Sequence, residues 1–112
     1  MAEPLAETEI LCKKVIAALS SPNMQGESLT MMRSRVESLL PKILESKKKM
    51  MLKSPKGKKM SGEALKNALK LHELVTNSQG GPLDDISTQI SLLEANMKRI
   101  EIYWKSFEYV ST

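Results

Sequence analysis

A heptad pattern in large apolar side chains occupies the last thirty residues of the chain. Eight of them follow one another at alternating spacings of three and four residues: Leu83, Ile86, Ile90, Leu93, Met97, Ile100, Trp104 and Phe107. Such spacing fills positions a and d of four consecutive heptads, so all eight side chains share one side of a helix. We therefore predict a long C-terminal helix, from about residue 82 to residue 110, that buries this seam against other helices.

The seam can close inside the chain or between two copies of it. In a parallel homodimer, the glutamates at positions e would face Gln89, Asn96 and Tyr103 at positions g, and none of these is basic. Interhelical charge pairs therefore do not support that pairing. Trp104 and Phe107 are also bulky for a two-stranded seam, so the pattern favours an intramolecular bundle and leaves self-association as the alternative.

Every aromatic residue of the protein lies between positions 103 and 109. Beside the seam, this stretch carries further apolar side chains at positions f and g, which a single core cannot cover completely. Tyrosine and tryptophan also dominate the energetics of protein interfaces. We therefore predict a partner interface made of Ile90, Leu93, Met97, Ile100, Ile102, Tyr103, Trp104, Phe107, Tyr109 and Val110. Half-exposed tyrosines with hydrated hydroxyls are the alternative explanation.

The remaining sequence also shows helical periodicity, and no stretch alternates like a strand. The predicted helices run from residue 4 or 8 to 19, from an N-cap at about Ser28 through a kink or break at Pro41, and from about residue 61 to 75. On the third of these, Leu69 is expected to face inward. The fold class is therefore all-α: a small bundle of about four helices, built from up-and-down hairpins, with a long heptad-bearing helix at its C-terminus.

The 112 residues are enough for one helical domain, covering 1–112. No run of 18 apolar residues is present to span a bilayer, so we expect no transmembrane segment. The N-terminal residues include Glu3, Pro4 and Glu7 and lack the basic and apolar regions of a targeting sequence. The expected location is intracellular, in the cytoplasm or the nucleus.

Positive charge is concentrated in the middle of the chain. Between Lys42 and Lys70 there are ten lysines and two acids, a net charge of +8, whereas the whole chain carries +4. The stretch 53–61 also contains Ser54, Pro55 and Gly57, which favour turns, and its lysines repel one another at helical spacing. We therefore predict a mobile basic loop over residues 53–61.

The basic segment could neutralise phosphates of a nucleic acid. The candidate phosphate-binding residues are Lys47, Lys48, Lys49, Lys53, Lys56, Lys58 and Lys59. The segment has no arginine for bidentate base contacts and no aromatic residue for stacking. A solvated loop, a targeting signal and weak membrane-surface contact are the alternatives, the last being disfavoured because no aromatic anchor is present. Ser54, which precedes a proline, is a candidate phosphorylation site.

Residues of the kinds that perform catalysis are sparse. Cys12 and His72 are each the only residue of their type, and both fall on apolar faces of predicted helices. We therefore predict no enzyme activity and no cofactor. The sequence favours a non-enzymatic helical module for protein–protein interaction or oligomerisation, which binds itself or another helical protein through its C-terminal helix. The alternative is a viral or chromatin-linked nucleic-acid-associated protein that contacts phosphates through Lys47–Lys59.

Overall fold

The computed structural model describes residues 3–21, 26–78 and 83–111, excluding the side chains of residues 78 and 108–111. It contains four α-helices: α1 (Pro4–Leu19), α2 (Glu27–Lys47), α3 (Pro55–Ser78) and α4 (Leu83–Ser111). A single 3₁₀ helix, η1 (Met50–Lys53), connects α2 to α3. The predicted all-α class, the bounds of α1 and the long final helix are confirmed. Within the described ranges, none of the helices combines the length and the hydropathy needed to span a bilayer.

The four helices pack as two antiparallel hairpins placed side by side. The main contacts join α1 to α2, α3 to α4, α1 to α3, and α2 to α4, so α2 and α3 lie at opposite corners. Arg33 near the start of α2 reaches Ser20 after α1, whereas Lys47 at the end of α2 reaches Glu9. These contacts make α1 and α2 antiparallel. Helices α2 and α4 are parallel neighbours, because Arg35 contacts Ser87 and Ser46 contacts Trp104.

The C-terminal seam lies inside this bundle. Ile86, Ile90, Leu93, Met97 and Ile100 are completely buried, and Trp104 is 2% exposed. They pack in one core with buried residues of the other three helices. The seam therefore closes within the single chain, which is the arrangement that the heptad pattern favoured.

Helix α2 differs from the prediction at its start. Ser28 lies inside the helix, and Gly26 precedes the first helical residue with a φ of 141°. Glycine adopts this conformation without the steric cost that a side chain would bring. The helix continues unbroken through Pro41. Because proline has no amide hydrogen, the carbonyl of Glu37 loses its helical hydrogen-bond partner at Pro41. Both residues are exposed, so water can satisfy that carbonyl.

The predicted loop over residues 53–61 is wrong. Residues up to Lys53 belong to η1, and α3 begins at Pro55, six residues before its predicted start. Ser54 caps α3, because its hydroxyl oxygen accepts a hydrogen bond of 3.1 Å from the amide of Gly57. Pro55 then occupies the first helical position, which tolerates the missing amide hydrogen. Residues that indicated a loop are instead the start signal of a helix.

The buried face of α3 also differs from the prediction. Leu69, expected to face inward, is 52% exposed. The core positions are Ala64, Ala68, Leu71 and Val75, all nearly inaccessible to solvent. These follow spacings of four, three and four residues, whereas Leu69 lies about 100° around the helix from Ala68. Leu69 consequently lies on the outer surface.

Candidate interaction surface at one end of the bundle

The two regions predicted as separate sites meet at one end of the molecule. Tyr103 of α4 lies 2.9 Å, hydroxyl to hydroxyl, from Ser54. The Lys56 ammonium lies 5.3 Å from the centre of the Tyr103 ring, and the Lys49 ammonium lies 4.1 Å from the centre of a Trp104 ring. Cations at these distances are attracted by the aromatic faces. We call this region the basic end: η1, the first two turns of α3, and residues 99–107 of α4.

The predicted partner interface is divided by the fold. Ile90, Leu93, Met97, Ile100 and Trp104 are buried in the core, so their assignment to a partner surface is corrected. They cannot contact another protein unless the bundle opens. The side chains of Tyr109 and Val110 lie outside the described residues. Ile102, Tyr103 and Phe107 remain as the described part of that interface that is accessible to solvent.

Phe107 was predicted to be buried in the seam together with Trp104, but it is 46% exposed. The Trp104 indole donates a hydrogen bond of 3.1 Å to Ser46, one residue before α2 ends at Lys47. The next turn of α4 therefore extends beyond the end of α2. Phe107 instead packs edge-on against Tyr103, with 5.0 Å between ring centres and 77° between ring planes.

A groove between α3 and α4 contains Ile102 and Tyr103 of this accessible part. It is lined by Lys56, Met60, Arg99, Ile102, Tyr103 and Ser106 and encloses about 310 Å³. Ile102 is 57% exposed, which is high for a large aliphatic side chain. Cations border the apolar surface on both helices, Lys56 on α3 and Arg99 on α4. Sequence reasoning missed Met60 and Arg99, because the register between α3 and α4 cannot be obtained from the periodicity of either helix.

Three of the seven candidate phosphate-binding lysines are engaged within the chain. Lys47 donates a 2.7 Å hydrogen bond to Glu9 and lowers the pKa of that carboxyl, against the opposing effect of burial. Lys49 and Lys56 lie over aromatic rings. The other four, Lys48, Lys53, Lys58 and Lys59, are exposed.

The hydroxyl of Ser54, the candidate modification site, is involved in three contacts. It donates to the Met51 carbonyl at 2.7 Å, and its oxygen accepts from the Gly57 amide. Because its one proton is directed to Met51, Tyr103 is the donor in the contact between the two hydroxyls. A kinase would need to disrupt these contacts, so the structure gives Ser54 a capping role and leaves modification a prediction.

The two sides of α4 that flank the seam contact different helices, one side α2 and the other α3. On the side facing α2, the Arg35 guanidinium donates to Ser87 at 3.0 Å, Ser91 at 2.9 Å and Glu94 at 2.6 Å. On the side facing α3, Gln89 and Asn96 both contact Asn67. Positions e and g of the heptads, considered above as contacts of a homodimer, therefore fix α4 between two helices of its own chain.

The lone cysteine and histidine do not form part of this surface. Cys12 is completely buried in α1, and desolvation raises the pKa of its thiol to about 12. His72 is partly buried on α3. Among the described residues, no three histidine, cysteine or acidic side chains are grouped in a way that could hold a metal ion.

Comparisons with known proteins do not identify a relative. The chain matches no protein-family model, no curated protein and no solved structure.

Proposed function

We propose that this chain is a non-enzymatic helical interaction module that binds an acidic, amphipathic helix of another protein in the groove between α3 and α4. The observation that carries the proposal is the 57% exposure of Ile102 in the lining of an apolar groove that is bordered by cations. Helix-in-groove binding buries apolar anchors, and charges on the rim then select the partner. Lys56 and Arg99 would select carboxylates.

The apolar part of the groove supports a protein partner. Ile102 is flanked by Met60 and Tyr103 in the groove, and Phe107 packs against Tyr103 just beyond it. Exposed apolar side chains that are contiguous, rather than scattered singly, mark interaction sites. Methionine adapts to the shape of a partner, and tyrosine contributes a large contact area at low entropic cost.

The charge around the groove supports an acidic partner. The first turn of α3 contains no acidic residue, although a helix N-terminus favours negative charge. It contains lysines instead, which lower the stability of the helix unless anionic groups lie nearby. Arg99 has one weak acidic neighbour, Glu63 at 3.9 Å, and both side chains are largely solvent-exposed. Carboxylates of a bound helix would offset this local excess of cations.

The contacts beneath the groove support a preformed site. The hydrogen bond between Ser54 and Tyr103 joins the start of α3 to α4, and Lys56 lies over the same tyrosine. Side chains that are already ordered lose less conformational entropy when a partner binds. These contacts order the groove without a partner, which supports the proposal.

A designed peptide tests the proposal. The probe is a fluorescein-labelled helix with leucines at positions i, i+4 and i+7 and flanking glutamates, compared with the same peptide carrying lysines in place of glutamates. Fluorescence anisotropy with the full chain should show binding of the acidic peptide only. The Ile102→Ser variant should weaken that binding at least about tenfold, which corresponds to about 1.4 kcal/mol.

Leu92→Ser is the matched control, because Leu92 is also on α4 and is 48% exposed but does not line the groove. It should leave the affinity unchanged. Equal loss in the two variants, or equal binding of the acidic and basic peptides, would contradict the proposal.

Nucleic-acid binding is the second candidate function, and the exposed Lys53, Lys58 and Lys59 of the basic end, with the exposed Lys48 just before η1, favour it. A filter-binding assay with duplex DNA and with RNA distinguishes it from the first. Binding through phosphates should fall steeply as salt increases and should be insensitive to Ile102→Ser. Absence of retention at low salt would exclude it.

A further inference from the structure

A second apolar groove lies between α1 and α3, away from the groove between α3 and α4. It is lined by Glu7, Ile10, Leu11, Lys14, Leu65 and Leu69 and encloses about 300 Å³. Ile10 is 53% exposed and Leu69 is 52% exposed, one on each helix. Neither side chain contributes to the core, so the exposure of two large aliphatic groups at one place has no explanation within the single chain.

On each helix of this face, two side chains of opposite charge lie on either side of an exposed aliphatic residue. Glu7 and Lys14 are seven residues apart on α1, about 10.5 Å along its axis, with Ile10 between them on the same outward stripe. Within the described part of the chain, neither forms an ion pair. On α3, Lys66 and Glu73 are likewise seven residues apart on either side of Leu69, and both are exposed.

We propose that this face binds the same face of a second copy of the chain, with α1 antiparallel to the partner's α1. A two-fold axis perpendicular to α1, passing level with Ile10 and Leu11, would place Glu7 against the partner's Lys14 and Lys14 against the partner's Glu7. Ile10 and Leu69 would be buried between the two pairs. Because the two charges lie on opposite sides of the axis and have opposite signs, this face is complementary to itself under a two-fold rotation.

The charges decide between this face and the groove at the basic end as the site of self-association. A second copy docked by symmetry at the basic end would oppose cations to cations, which is repulsive. At the groove between α1 and α3, the same operation opposes unlike charges. The proposal is thus independent of the proposed partner-binding groove, and either can fail without the other.

Charge reversal tests the interface. Sedimentation equilibrium of the full chain at low ionic strength should show a concentration-dependent mass that approaches twice 12.5 kDa. Glu7→Lys and Lys14→Glu should each weaken the dimer at least about fivefold, because each variant opposes like charges at two symmetric contacts. The double variant should recover the affinity, and an equimolar mixture of the two single variants should form a heterodimer.

Lys42→Glu on α2 is the matched control, since it makes the same charge change at an exposed position outside the groove. It should dimerise like the natural chain, and circular dichroism should show the same helicity in all variants. A monomer at every concentration would overturn the proposal. Single variants that dimerise normally, or a double variant and a mixture that fail to recover association, would overturn it as well.

Discussion

Gly57 shows how strongly one residue constrains the path of this chain. It is buried at the junction of η1 and α3, and a Cβ atom there would lie 2.4 Å from the Cα of Leu52. Backbone atoms cannot approach a Cβ so closely, so only glycine allows the 3₁₀ helix to fold directly onto the start of α3. The residue suggested a flexible loop from sequence, whereas its role here is close packing.

Substitution of Gly57 tests this close approach. Gly57→Ala should lower the free energy of unfolding by about 1–3 kcal/mol, the usual cost of overpacking, because the backbone at Leu52 must move. Gly62→Ala is the control: no atom beyond its own stretch of helix lies within 4 Å of its added Cβ, and alanine should stabilise the helix by about 0.5–1 kcal/mol. Urea denaturation measures both. A Gly57→Ala variant as stable as the natural chain would mean that η1 does not pack in this way.

Among the elements, α3 and α4 are held in register by a polar cluster close to the core. Asn67 donates to the Asn96 side chain at 2.5 Å, and Gln89 donates to the Asn67 backbone and side-chain oxygens at 3.0 and 3.1 Å. Gln89 and Asn96 are nearly buried. Buried polar groups stabilise a structure when they are paired and lower its stability when a partner is removed.

Removal of one member of the cluster should therefore be costly. Asn96→Ala deprives the Asn67 amide of its acceptor and should lower the free energy of unfolding by about 1–3 kcal/mol, including the desolvation penalty. Thr88→Ala, at an exposed position of the same helix, should change it by less than about 0.5 kcal/mol. Thermal unfolding followed by circular dichroism compares the two. Equal midpoints would show that the cluster does not contribute to the pairing of α3 with α4.

The sequence predicted the bounds of individual helices better than it predicted which residues of different helices come together. The periodicity of α1 and α4 was sufficient for their bounds, because each has a single apolar stripe and clear end signals. It failed at residues 53–61, where Ser54 and Pro55 act as cap and first helical residue rather than as turn residues. The groove around Ile102 was only partly foreseen, because Met60 and Arg99 reach it through the packing of α3 on α4.

At the scale of the whole molecule, the described residues form a closed interior, and accessible apolar grooves lie between α3 and α4 and between α1 and α3. The seam of α4 lies in the interior, where neighbouring helices of the same chain cover it. Both proposed associations therefore use the outer surface, the proposed helix-binding groove being rich in cations and the proposed dimer face being balanced in charge. Dissociation of any complex should then leave the interior unchanged.

The emission of Trp104, the only tryptophan, tests this central claim most directly. It is 2% exposed and is covered by residues of its own chain. The emission maximum should stay blue-shifted and constant as the protein is diluted through the range in which its sedimentation mass falls to 12.5 kDa. A red shift that accompanies the fall in mass would show that a second chain completes the seam, and would contradict the closed bundle.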